Sequence, residues 1–170
     1  MGQITLAELK EKARQAGVVG AGGAGFPAAG KLAQGADSYI INGAECEPLI
    51  FTDYHILRTH MEDVLYGARR VMDAAGIHNG YLAIKEHTAR RFGFTQGQRL
   101  AHDIQVAVLP NVYPMGDEVI LIYQVLGRIV RPGDLPLSVG VIVNNVETVL
   151  NLGRALDGIP VTEKWLTVAG

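Results

Sequence analysis

Apolar residues recur at helical spacing at Leu6, Leu9 and Ala13. Thr5 with Glu8 three residues later has the form of a capping box. The chain is therefore expected to open with a helix over Ile4–Gln15, ended by Gly17. Gly17–Gly30 is crowded with glycine and alanine and reads mostly as loop, with Pro27 opening a short helical stretch through Leu32. Ser38–Asn42 is a compact run that reads as a buried strand, and Gly43–Pro48 as the loop at its carboxyl end. Asp53–Ala75 carries Ile56, Met61, Val64, Leu65, Ala68, Val71 and Met72 on one side and reads as a long helix stopped by Gly76. The alternation continues with strands at Tyr81–Lys85, Ile104–Leu109 and Val139–Val143. Helices are expected at Thr88–His102, Glu118–Leu126 and Val146–Leu156, and a further strand starts at Trp165–Val168.

Strands alternating with helices imply an α/β fold, a Rossmann-like layered arrangement with a largely parallel sheet flanked by helices. One domain is expected over 1–158, with 159–170 as the truncated start of a following domain. Composition narrows the function classes. Fifteen Lys and Arg against seventeen Asp and Glu give a formal charge of -2, which points away from nucleic acid. The longest apolar run, Val119–Leu126, is too short to span or insert directly into a membrane. The first residues lack the apolar stretch of a signal peptide, so a cytoplasmic location is the default. A single cysteine excludes an intramolecular disulfide, a four-cysteine zinc site and a self-contained iron–sulfur cluster. The five histidines show no ligand spacing, and no metal site is expected.

Glycine is the exception to an ordinary composition, with six of the 21 glycines falling in Gly17–Gly30. Gly20, Gly22 and Gly25 satisfy G-x-G-x-x-G, but a helix rather than a strand precedes them, so the pattern is not the dinucleotide fingerprint. It is not a P-loop either, because no G-K-[ST] follows. Two readings stay open: a tightly packed loop, or a cradle in which side-chain-free backbone approaches a flat ring or a phosphate. Phe26 and Lys31 would then add an aromatic face and a positive charge.

Three more polar loops follow expected strands. Asn42, Glu45 and Glu47 in NGAECEP suit a hydroxyl-rich ligand, a divalent metal or a solvated turn. Cys46 reads as a small packed residue rather than a nucleophile, since no histidine lies nearby to activate it. In NVYPMGDE, Tyr113 is placed to stack on a ring and Gly116 to allow close approach. Asp117 and Glu118 either face a ligand or complement a helix dipole. Asn144 and Asn145 form a turn whose simpler reading is helix capping with Glu147. In a parallel sheet such loops meet beyond the carboxyl ends of the strands. Their convergence, more than any one motif, indicates a ligand crevice.

GVVGAGGAGFPAAGKL, INGAECEP, YPMGDE with LIYQVLGR, and VGVIVNNVET, in this order, resemble the flavin-binding domain shared by three families. These are the NADH-oxidising subunit of respiratory complex I, the C subunit of the Rnf electron-transport complex, and the cobalamin reductase of propanediol-utilisation microcompartments. The resemblance spans Gly17 to Gly170 and is nearest to the last two. It implies a non-covalent FMN site and hydride transfer from NADH, followed by electron transfer to 4Fe-4S clusters in the missing part of a longer protein. By motif, the flavin would lie against Gly20, Gly22, Gly23 and Ala24, with Lys31 near the phosphate. Asn42, Glu45 and Cys46 would follow the ribityl chain and ring edge. Tyr113, Gly116 and Asp117 would form the opposite wall, and Asn144, Asn145 and Thr148 the phosphate end. Phe26, Glu47 and Glu118 match NADH positions. The implied partner is a downstream electron acceptor, a cobalamin enzyme or another redox protein. Homo-oligomerisation, association with a shell and placement inside a bacterial microcompartment stay open. Two departures support an alternative, a fold-retaining scaffold with weak or lost flavin binding. Ala21 stands where complex I has arginine, and Ala44 where it has aspartate.

Overall fold

The computed structural model describes residues 4–22, 25–47 and 49–168. Its centre is a four-stranded parallel sheet. The strands are β1 (Ser38–Gly43), β2 (Asn79–Lys85), β3 (Ile104–Leu109) and β4 (Val141–Asn145), in the order β3-β2-β1-β4. Ser38 of β1 is in register with both Asn79 and Val141. The chain winds outward from β1 through β2 to β3, then returns to place β4 on the other side of β1. The carboxyl ends of β1 and β4 are thus the switch point at which such sheets open a crevice.

The helices are α1 (Leu6–Gln15), α2 (Ala28–Lys31), α3 (Thr52–Ala75), α4 (Glu86–Phe92), α5 (Glu118–Leu126) and α6 (Val146–Leu156). The capping box at Thr5 and Glu8 forms as its sequence predicts. Successive strand residues point to opposite faces. Tyr39, Ile41, Leu82, Ile84, Ile104 and Ile142 bury themselves with α1, α2, α3 and α6. Ile40, Ala83, Ala107, Val141 and Val143 pack under α5. The layered, largely parallel α/β fold is the one expected. Arg128, after α5, ties the second face to the first by gripping Asp37 at 2.8 and 3.1 Å. That guanidinium holds the Asp37 carboxyl below the usual carboxylate range.

Several boundaries differ from the periodicity. The helix expected over Thr88–His102 is confined to α4, because Gly93 adopts φ 70° and closes it. The following residues fold back on β3 through Gly97 N to Val106 O and Val106 N to Gln98 O. β4 begins two residues later than expected, since Pro136–Val139 winds into a 3₁₀ turn. Asn144 and Asn145 are consequently the end of the strand rather than a turn beyond it. The strand expected at Trp165–Val168 does not form, and residues 160–168 run without regular structure.

α3 and α6 meet most closely at two glycines. A Cβ built on Gly67 would lie 2.9 Å from Val149 O, and one on Gly153 would lie 3.1 Å from Gly67 Cα. This approach sets how deeply α6 seats beside the sheet. It therefore sets where the amino end of α6 stands relative to the crevice.

Candidate functional site

A cleft of about 770 Å³ opens beyond the carboxyl ends of β1 and β4. Its volume lies within the roughly 300–1,000 Å³ usual for small-molecule sites. Gly20, Gly22, Phe26 and Lys31 line it from the glycine-rich segment, and Asn42, Glu45, Cys46 and Glu47 from the end of β1. Gly116, Asp117 and Glu118 line it from the start of α5, and Asn144, Asn145 and Thr148 from β4 and α6. Four separated motifs therefore share one cavity. Gly23 and Ala24 lie outside the described residues. Tyr113 is 74% exposed and is absent from the lining. The wall expected from its ring is built instead by the backbone of Gly116, pressed against Ala44 and Cys46.

The walls are stitched together by side chains with defined partners. Asn42 Nδ2 donates to Gly116 O at 2.9 Å, and Asn42 Oδ1 accepts from Ala44 N at 3.1 Å. Gly116 N donates to Cys46 Sγ at 2.8 Å, which fits the packed role expected for this thiol. Asp117 caps α5 through Val119 N and Ile120 N. Asn145 caps α6 through Glu147 N, as the simpler sequence reading has it. Ala21 N donates to Thr148 Oγ1 at 2.9 Å and fixes the glycine-rich segment to α6. Lys31 and Glu118 pair at 2.8 Å across the cleft. The residue expected near a phosphate and a residue expected near a nicotinamide thus hold each other.

Sequence reasoning missed two parts of the site. Lys164, Trp165, Leu166 and Thr167 form a further wall. Glu147, buried in α6, holds them through Lys164 Nζ at 2.5 Å and Trp165 N at 3.3 Å. The Trp165 ring meets His60 edge-on where α3 is kinked. A lysine and an aromatic in TEKWL were the available signal, obscured by their strand-like pattern.

The second omission is Asp53, a buried carboxyl paired with the half-buried Glu45. Glu45 accepts from Asp53 N at 2.8 Å and Tyr54 N at 3.4 Å at the amino end of α3, while Asn145 Nδ2 grips both oxygens of Asp53 at 2.9 and 3.0 Å. Burial is the largest influence on Asp53 and, with the Glu45 charge beside it, raises its pKa to about 7. The Asn145 bond opposes the rise without cancelling it. Burial also raises Glu45, against the N–H donors that favour its charge.

Asp53 therefore binds its proton more tightly folded than unfolded. The stability this lends is complete below the ordinary aspartate range and is lost as pH climbs through about 7. Asp53→Asn keeps an acceptor for Asn145 and removes the charge. Its stability relative to wild type is expected to improve steadily from about pH 5 to about pH 8. Denaturant unfolding at both ends of that range checks this, and a pH-independent difference would refute it.

The model of the Nuo51 FMN-binding domain family matches residues 13–154. Cobalamin reductase PduS of Citrobacter freundii is 45% identical over 163 residues, 95% of this chain and 36% of that protein. A component of the proton-translocating ferredoxin:NAD(+) oxidoreductase complex of Clostridium ljungdahlii is 33% identical over 173 residues, 99% of this chain and 38% of that protein. This chain spans little more than a third of either relative. Among solved structures, an NAD+-reducing NiFe hydrogenase in its H2-reduced state matches with a TM-score of 0.67 and 26% identity. That match covers 89% of this chain and 31% of the hydrogenase chain.

Proposed function

The chain belongs to the Nuo51 FMN-binding domain family, and we propose that its cleft holds FMN and serves to pass electrons from NADH toward iron–sulfur clusters carried elsewhere in a longer polypeptide. The observation that carries this reading is the meeting of four motifs in one cleft. The donor set fits the cofactor. A flavin mononucleotide presents a flat ring, a chain of hydroxyls and a dianionic phosphate. The cleft offers glycine backbone, amide and carboxylate groups from Asn42, Glu45 and Asp117, and the cations Lys31 and Lys164. A Cβ on Gly22 would meet no described atom within 4 Å, so this stretch leaves open space where a ligand can approach backbone.

When bound, FMN supplies a ring that takes up two electrons and releases them singly. The protein binds, orients and excludes. Asn144 and Thr148, with Lys31, would hold the phosphate end, and Asn145, whose side chain is committed to Asp53 and Glu147 N, would support that corner. Gly20, Gly22, Asn42, Glu45, Cys46, Gly116 and Asp117 enclose the ring and ribityl chain. Phe26, half exposed over Gly30, joins Glu47 and Glu118 at the rim, where a nicotinamide dinucleotide enters. Glu118 neutralises Lys31 until an anionic ligand takes over that role. The names of the ferredoxin:NAD(+) oxidoreductase relative and of the NAD+-reducing hydrogenase support a nicotinamide dinucleotide as the redox partner, taken as NADH in the donating direction. The likeness to the cobalamin reductases supports a cobalamin-linked acceptor. Among the described residues no helix is long and apolar enough to cross a membrane.

Ala21 and Ala44 favour a second reading, a scaffold that keeps the cleft without the flavin. One titration separates the two. Micromolar protein is expected to quench FMN fluorescence, and NADH added without oxygen to bleach the bound flavin. Unquenched fluorescence would establish the scaffold reading. Quenching without bleaching would remove NADH as donor.

A further inference from the structure

Tyr39 is fully buried in β1. It stands in register with Ile142, so Asn144, two residues further along β4, shares its face of the sheet. Tyr39 Oη donates to Asn144 Oδ1 at 2.9 Å. Burial pushes the phenol above the ordinary tyrosine range, so the hydroxyl keeps its proton and stays a donor. The carboxamide oxygen of Asn144 is thereby committed. Its Nδ2 makes no hydrogen bond among the described residues, although Asn144 is only 4% exposed and lines the cleft. The rest of the residue is buried, but this nitrogen opens on the cleft, and a donor left in this state gains from a ligand that brings an acceptor.

We propose that Tyr39 is a positioning residue that locks the Asn144 carboxamide with its nitrogen toward the cleft, so that this corner selects an acceptor oxygen at the phosphate-bearing end of the ligand. The proposal deepens the flavin reading and rests on it. A carboxamide is nearly the same shape when flipped, and only its partners decide which atom faces the ligand. Without the phenol, the oxygen competes for the cleft side and meets phosphate oxygens as an acceptor facing acceptors.

FMN and riboflavin share the ring and ribityl chain and differ in the phosphate, which makes them a matched pair of probes. Fluorescence titration of the full chain is expected to show Tyr39→Phe weakening FMN about tenfold while changing riboflavin by less than about twofold. Asn144→Asp preserves the acceptor for Tyr39 but offers no donor. It is expected to lose FMN selectively as well, and it serves if Tyr39→Phe does not fold. Unchanged FMN affinity in Tyr39→Phe, or equal losses for both flavins, would overturn the proposal. Proton–nitrogen correlation spectra of the ligand-free chain give an independent readout. The side-chain amide pair of Asn144, identified by its disappearance in Asn144→Asp, is expected to shift in Tyr39→Phe. If wild type binds neither flavin, the flavin reading fails, while an unmoved amide pair would sink the role of Tyr39 separately.

Discussion

Replacing Gly22 by valine is expected to cost about 100-fold or more in FMN affinity, or nearly 3 kcal/mol, while leaving the unfolding of the ligand-free chain almost untouched. The two halves of this expectation come from one observation. Gly22 lines the cleft, and a Cβ there touches no described atom within 4 Å, so a side chain fills ligand space rather than protein space. Its backbone is not in the left-handed region, so valine imposes no strain of that kind. Gly116→Val is the contrasting case. A Cβ there collides with Ala44 O and Cys46 Sγ, and the residue exchanges hydrogen bonds with Asn42 and Cys46. That variant is expected to lose flavin and also about 1–3 kcal/mol of stability. Isothermal titration with FMN and denaturant unfolding, run on both variants, separate obstruction of the cleft from damage to its wall. Wild-type affinity in Gly22→Val would remove the glycine-rich segment from the site.

What the chain discloses before folding follows the range of each signal. Capping, periodicity and glycine stops are local, so α1, α3, α5 and α6 were legible to within a residue or two, and β3 in full. Gly93 and Gly97 interrupt the pattern at Thr88–His102, where α4 ends at Phe92. The four loops could be assigned to one crevice because strand order in a parallel sheet dictates where loops meet. Which atoms within them face a ligand depends on partners far away in sequence. Tyr39 and Asn144 are 105 residues apart, and Asp53 and Asn145 are 92. Asp53 therefore stood only as the first residue of an expected helix, whereas it is buried and held by Asn145 at the carboxyl end of β4. Tyr113 misled for the opposite reason, since an aromatic in a polar loop suggests stacking while the approach of Gly116 to Ala44 already closes that side.

The seat of α6 decides both stability and site. On an exposed helix, glycine to alanine gains up to about 1 kcal/mol. At Gly67 the sign is expected to reverse. The added Cβ falls 2.9 Å from Val149 O, a backbone atom that cannot swing aside as a side-chain tip can. Overpacking of this kind costs about 1–3 kcal/mol, and the larger Gly67→Val is expected at or above the upper end. In a chain of this size that corresponds to a fall of roughly 6–12 °C in unfolding temperature. The first turn of α6 carries the Asn145 cap, Glu147 and Thr148. Pushing it outward lengthens Ala21 N to Thr148 Oγ1 and Asn145 Nδ2 to Asp53, the bonds that close the cleft from below. Gly67→Val is therefore expected to weaken FMN from a position far from the ligand. The double variant Gly67→Ala with Gly153→Ala should be less stable than either single, by an amount that is not the sum, because both substitutions load the same contact. Thermal and denaturant unfolding decide this. A Gly67→Ala chain as stable as wild type would mean that the two helices separate at little cost, and that their spacing does not govern the site.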